Sequence, residues 1–216
     1  MCLRRESRKD VSEVMNMLAI DCCLRLTGTA LMLDGEVIEC IQEDLGRKQS
    51  QELPLMAEGM MKRNNLTWNE LDYIALTNGP GYFTGLRVGA AYASGLAFAS
   101  GAKIIPVSSL EMLAQSSGLS GKILVAVYAG HGQVYAWCDG LLNAGEYELD
   151  EISEWLKGNP DAQVISDDPD RAGVNAVHVK PDMNALCELA ASRIDFAVSP
   201  LELKVSYYRA PQGVNV

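Results

Sequence analysis

The chain has 216 residues, 48% hydrophobic and 21% charged, with 18 Lys and Arg against 28 Asp and Glu for a formal charge of −10. This composition excludes wholesale disorder and supplies either one large domain or two small ones sharing a core. A surface of this sign repels phosphate backbones, and no local basic patch stands out along the chain, so tRNA or any other RNA is expected to be met only indirectly, through another subunit.

Residues 1–14 (MCLRRESRKDVSEV) are polar and carry four of the basic side chains, and are expected to form a flexible N-terminal arm outside the fold. MLAID (17–21) reads as a buried strand. LTGTALML (26–33) and EVIECIQE (36–43) flank Asp34-Gly35, a dipeptide suited to the positive φ angles of a tight hairpin. Residues 50–64 space Leu53, Met56, Met60 and Met61 as a helix, which Pro54 permits only if the helix begins close to it. Thr67 and Glu70 have capping-box spacing before the strand YIALT (73–77).

A helix of small residues is predicted from Thr84 to about Ser100, followed by a strand over 102–108 with an exit at Pro106. Interruption by Ser94, Ser100 and Lys103 makes 88–107 a buried helix and strand rather than a membrane span. Downstream, 109–115 is helical, 122–128 and 133–138 are strands, and Asp139-Gly140 turns the chain again. A helix near 150–157, strands at 163–166 and 176–179, and a helix at 185–194 complete the predicted elements. LAIDCCLRLTGTALMLDG and LVAVYAGHGQVYAWCDG thus share a grammar of strand, polar bend, strand and Asp-Gly turn. The α/β order gives an N-terminal lobe over 15–108, a smaller C-terminal lobe over 109–199, and a polar tail over 200–216 expected to cross the surface of one lobe.

Six scattered cysteines with no CxxC spacing and no preceding secretory segment point to a reducing cytoplasm, without disulfides or structural zinc. His131 and His178, the only histidines, lie far apart in sequence, which argues against a metalloprotease.

NGPGYFTGLR (78–87) resembles a phosphate-binding turn but fails both common patterns. Counting from Gly81 puts Leu86 where Walker A needs its second glycine, with no lysine after it, and Thr84 occupies the third glycine position of the dinucleotide fingerprint. Gly79, Pro80 and Gly81 instead suggest a stiff turn with two residues free to take positive φ, and Thr84 a cap for the following helix. Arg87 is expected in the first helical turn, where the dipole disfavours a cation by about 0.3–1 kcal/mol. A phosphate or a partner's carboxylate would offset this, and a hydrated arginine turned to solvent is the alternative. Gly85, Gly89, Ala93 and Ala97 recur every fourth residue, and Ala90 and Ser94 widen the stripe into a groove nearly without side chains. Such a face permits close packing, against either the chain's own sheet or a second subunit.

The segments 17–43 and 73–114, with GPGYFTGLRVG at their centre, resemble the bacterial TsaB (YeaZ) family of tRNA threonylcarbamoyladenosine biosynthesis proteins, and KILVAVYAGHGQVYAW and YYRAP do so more loosely. The resemblance implies two ribonuclease-H-like lobes of the actin, Hsp70 and sugar kinase superfamily. It also implies a non-catalytic partner of TsaD, the subunit that transfers the threonylcarbamoyl group, with the small ATPase TsaE joining them. Gly85, Arg87, Gly89, Ala90, Ala93 and Ala97 would then form the interface with TsaD or with a second copy of the chain. Where family members often carry hydroxyl residues after the first strand, this chain has Cys22-Cys23-Leu24, and Ala129-Gly130-His131 replaces an acidic loop. Both departures weaken a nucleotide site, so no cofactor is expected in this subunit, and ATP or ADP would belong to the assembled complex. An actin-like phosphotransferase is the alternative, for which Asp21 is the one carboxylate at a suitable strand end.

Overall fold

The computed structural model describes residues 15–208; the expected N-terminal arm and the end of the expected tail lie outside the described residues. Two five-stranded sheets, each covered by helices on both faces, build the molecule. The first holds β1 (Asn16–Asp21), β2 (Thr27–Leu33), β3 (Glu36–Glu43), β4 (Tyr73–Thr77) and β5 (Lys103–Val107) in the order β3-β2-β1-β4-β5. β1, β2 and β3 pair antiparallel, while β1, β4 and β5 pair parallel. The second holds β6 (Ile123–Gly130), β7 (Gln133–Cys138), β8 (Leu142–Glu148), β9 (Gln163–Ser166) and β10 (Val177–His178), and read from β8 its order β8-β7-β6-β9-β10 repeats the first in topology and strand direction. The repeated grammar in the sequence is therefore a repeated fold.

Central strands need apolar residues on both faces, and β1 supplies them: Leu18 and Ile20 point to one side, Met17 and Ala19 to the other, all fully buried. On the Leu18 side lie α1 (Gln49–Arg63) and α2 (Phe83–Ser100). On the Met17 side lies α6 (Met183–Ala191), through Met183, Leu186, Cys187 and Ala190. This corrects the expected boundary of the C-terminal lobe, because a helix from the second half of the chain completes the first lobe. The second sheet is covered by α3 (Ser109–Ser116) on one face and by α4 (Leu149–Gly158) and the short α5 (Pro169–Ala172) on the other.

Asp34 and Gly35 take φ of +52° and +84°, the tight turn expected between β2 and β3. Pro54 departs from expectation, standing five residues inside α1. The carbonyl it leaves without a helical donor belongs to Ser50, which is exposed to water. β8 was not anticipated, since LNAGEYE alternates weakly and carries a glycine, and neither was the four-residue α5 between the strands expected at 163–166 and 176–179. Pro106 sits within edge strand β5, where a missing donor is tolerated. The tail bonds backward rather than lying free: Ser206 N donates to Asn78 O at 2.8 Å, and Tyr208 packs on Tyr135 of the second sheet, so it touches both lobes.

Candidate functional site

The loop between β4 and α2 is pinned against the β1–β2 turn. Tyr82 N donates to Cys23 O at 2.8 Å, Asn78 N to Val107 O at 3.0 Å, and the Ser109 hydroxyl to Pro80 O. Gly79 takes a positive φ of +106°, whereas Gly81 does not. Gly81 is needed for close approach instead: a β-carbon there would stand 2.0 Å from Cys23 O. Thr84 does not cap α2. Tyr82 holds the capping position without a side-chain bond, and Thr84 is the exposed second residue of the helix. Gly101 ends α2 in the left-handed conformation, donating its N–H to Ala97 O at 2.9 Å.

The small-residue stripe faces inward. Gly85, Gly89, Ala93 and Ala97 are buried, Ala93 and Ala97 in the core with Leu76 and Ile104, and Gly89 against Cys22 and Leu76. The expectation that these four form a partner's contact is corrected, because the chain's own sheet covers them. Of the six predicted interface residues, only Arg87 lies off that face; Ala90, half-buried, packs against the same core. The opposite face of the helix carries Phe83, Arg87, Ala91, Gly95 and Phe98, all exposed, with Phe98 77% accessible and open space around Gly95. Arg87 stands in the second helical turn, not the first. Its guanidinium lies 3.9 Å from the centre of the Phe83 ring, and Nε is 3.3 Å from the Tyr207 hydroxyl. Aromatic rings therefore take the place of the anion that the sequence suggested.

The two lobes meet at the β1–β2 turn. Leu24, from the first lobe, is 1% exposed and packs in the core of the second with Leu110, Val125, Val127 and Ile165. Arg25 N donates to Asp167 Oδ2 at 3.0 Å, and its guanidinium pairs with Asp168 at 2.6 Å, both beyond β9. Arg171 of α5 lies over the rings of Tyr82 and Tyr128, one from each lobe, at 5.0 and 4.5 Å.

At the end of β1, Asp21 is fully buried; Oδ1 accepts from Cys23 N at 2.9 Å and from the Thr77 hydroxyl at 2.6 Å, while Oδ2 has no partner. Burial pushes its carboxyl up to about 6 against these bonds, with Asp167 adding to the rise. Burial likewise pushes up the thiols of Cys22 and Cys23, the opposite of a nucleophile's requirement. The five described cysteines are all free. Among the described residues no three His, Cys, Asp or Glu side chains gather as metal ligands. His131 forms the β6–β7 turn at φ +54°, and His178 lies exposed on edge strand β10. No helix among the described residues is long and apolar enough to cross a membrane.

The model of the family described as "TsaD: tRNA N6-adenosine threonylcarbamoyltransferase" matches residues 41–207. The chain belongs to this family. Within it, the chain is similar to proteins named "tRNA threonylcarbamoyladenosine biosynthesis protein TsaB". It is 32% identical to that of Haemophilus influenzae over 124 residues, covering 56% of this chain and 52% of the relative. It is 31% identical to that of Escherichia coli over 144 residues, covering 65% and 58%. The chain thus spans a little over half the length of the TsaB proteins it matches. A solved structure described as "YeaZ from Pseudomonas aeruginosa" superposes with a TM-score of 0.71 at 23% identity, covering 89% of this chain and 99% of that one. That likeness is one of fold, and with the repeated strand order of the two sheets it bears out the two-lobed α/β architecture.

The sequence missed Leu24, although a large apolar residue in a polar bend was a signal for it. A second face of α2 was legible in Leu86, Tyr92 and Phe98 lying off the small stripe; the structure exposes Phe98, buries Leu86 and half-buries Tyr92, and adds Phe83 to the open face.

Proposed function

We propose that the chain is a non-catalytic subunit of tRNA threonylcarbamoyladenosine synthesis, and that it supports a TsaD-type transferase docked on the outer face of α2. The observation that carries this reading is the division of labour between the two faces of one helix. The inner face is committed to the chain's own sheet. The outer face presents Phe98 at 77% exposure beside Ala91 and Gly95, a low surface that a second helix can approach closely. The same face is open to a second copy of the chain, so self-association and TsaD binding compete for it, and TsaE joins the assembled complex.

The lobe junction supports the absence of chemistry in this subunit. A phosphotransferase of this fold closes its lobes around a nucleotide, whereas here Leu24 fills the junction and Asp21 is sealed beneath it. Any ATP or ADP is then held by the assembled complex rather than between these lobes.

Depleting the chain from cells should lower threonylcarbamoyladenosine in their tRNA, and re-expression should restore it. Asp21→Asn should restore it equally. A variant that folds and binds TsaD but leaves the nucleoside absent would overturn the non-catalytic reading.

A further inference from the structure

Arg25, Arg47 and Arg171, far apart in sequence, line one open groove of about 800 Å³ together with Tyr82, Phe83 and Thr84. Arg25 is committed, held 2.6 Å from Asp168 and 3.4 Å from Asp44. Arg171 is exposed and lies over two tyrosine rings rather than against a carboxylate. Arg47 is exposed and has no ion pair or side-chain hydrogen bond among the described residues. By contrast, Lys62, Arg63, Lys122, Lys157 and Arg193 each face a carboxylate elsewhere on the molecule. On a chain of net charge −10, the groove thus gathers two arginines that form no direct ion pair among the described residues, beside Asp44, which is paired with Arg25. The Phe83 ring at its rim is 42% exposed with the Arg87 guanidinium stacked on one face, and α2 opens beside it without an acidic residue in its first turn.

We propose that this groove binds the phosphodiester backbone of single-stranded RNA, with Arg47 and Arg171 on successive phosphates and the Phe83 ring as a platform for a base. This rests on the tRNA-modifying reading above and revises the expectation that RNA is met only through another subunit. The charge balance favours a phosphodiester over a free nucleotide. Two uncommitted arginines match the single charges of successive linkages. A nucleoside triphosphate concentrates three or four charges on one ligand, more than two arginines balance.

The test is fluorescence anisotropy of the full chain with a labelled RNA hairpin bearing a single-stranded loop, at low and at physiological salt. The wild-type chain should bind with an affinity that falls as salt rises. Arg47→Glu together with Arg171→Glu should weaken binding about tenfold or more and flatten the salt dependence by about one unit of slope per arginine. Phe83→Ala should weaken it about fivefold or more. Lys157→Glu, on α4, should leave it unchanged.

Because the Arg171 stack joins the lobes, Arg47→Glu alone serves as a second variant whose fold is not at risk, with thermal melts confirming both. Three results would overturn the proposal. One is no binding by the wild-type chain up to about 100 µM at low salt. Another is binding indifferent to both charge reversals, and the last is ATP binding that depends on these arginines and that RNA fails to displace. None of these touches the docking of TsaD, which is measured separately.

Discussion

Gly85 of α2 packs its backbone directly on the carbonyl oxygen of Cys22, so closely that a β-carbon at this position would stand 1.9 Å from that oxygen. The contact locks the helix to the β1–β2 turn, and with it the helix's outer face and the junction of the lobes. The stripe of small residues is therefore a device for seating α2 on its own sheet.

Two alanine substitutions ten residues apart on the same helix should have opposite effects. Gly85→Ala must push the helix off the turn and should cost at least about 2 kcal/mol. Gly95→Ala meets nothing within 4 Å and should stabilise by about 0.5–1 kcal/mol through helix propensity alone. Urea unfolding of both variants checks this, and equal destabilisation would show that the seating is not set by the inner face.

Leu24 ties one lobe into the core of the other. Leu24→Ala should cost about 2–4 kcal/mol, as expected for a fully buried leucine in a well-packed site. The loss should be cooperative, with tryptophan fluorescence and far-ultraviolet circular dichroism reporting one transition. A cost below about 1 kcal/mol would mean that the lobes do not depend on the plug.

The buried Asp21 carboxyl predicts a sign for the pH dependence of stability. Its pKa rises from 3.8 to about 6 on folding, so between these values the folded state holds a proton that the unfolded chain has released. Stability from this group is complete below about 4 and is lost as pH rises through 6, by about 3 kcal/mol at 1.36 kcal/mol per unit. Asp21→Asn keeps an oxygen for the Cys23 and Thr77 bonds and carries no charge. It should match the wild-type chain at pH 4 and exceed it at pH 7 in chemical denaturation. A wild-type minus variant difference that stays flat from pH 4 to 7 would contradict the assignment.

Much of the fold was legible because strand alternation and Asp-Gly turns are local signals. Met17 to Ile20 announce a strand buried on both faces, and the two hairpin grammars announce the repeat. β8 was illegible because its LNAGEYE pattern is held by pairing with β7 rather than by its own apolar residues. α6 reads as a helix, but nothing local states that Met183 and Leu186 complete the first lobe's core. The site was half legible. The spacing of Gly85, Gly89, Ala93 and Ala97 identifies a face made for close packing, and spacing cannot say what packs there. The grouping of Arg25, Arg47 and Arg171 depends wholly on three segments distant in sequence meeting in space.

The most direct measurement is co-purification of the chain with the proposed TsaD-type partner after co-expression. Phe98→Asp with Gly95→Leu places charge and bulk on the outer face of α2 and should abolish the complex while leaving the melting temperature of the isolated chain within a few degrees. Leu24→Ala should weaken the fold yet still yield complex at low temperature. An unaltered complex with the α2 double variant would contradict the account, because it would leave the one face of this helix that the chain does not cover without a partner.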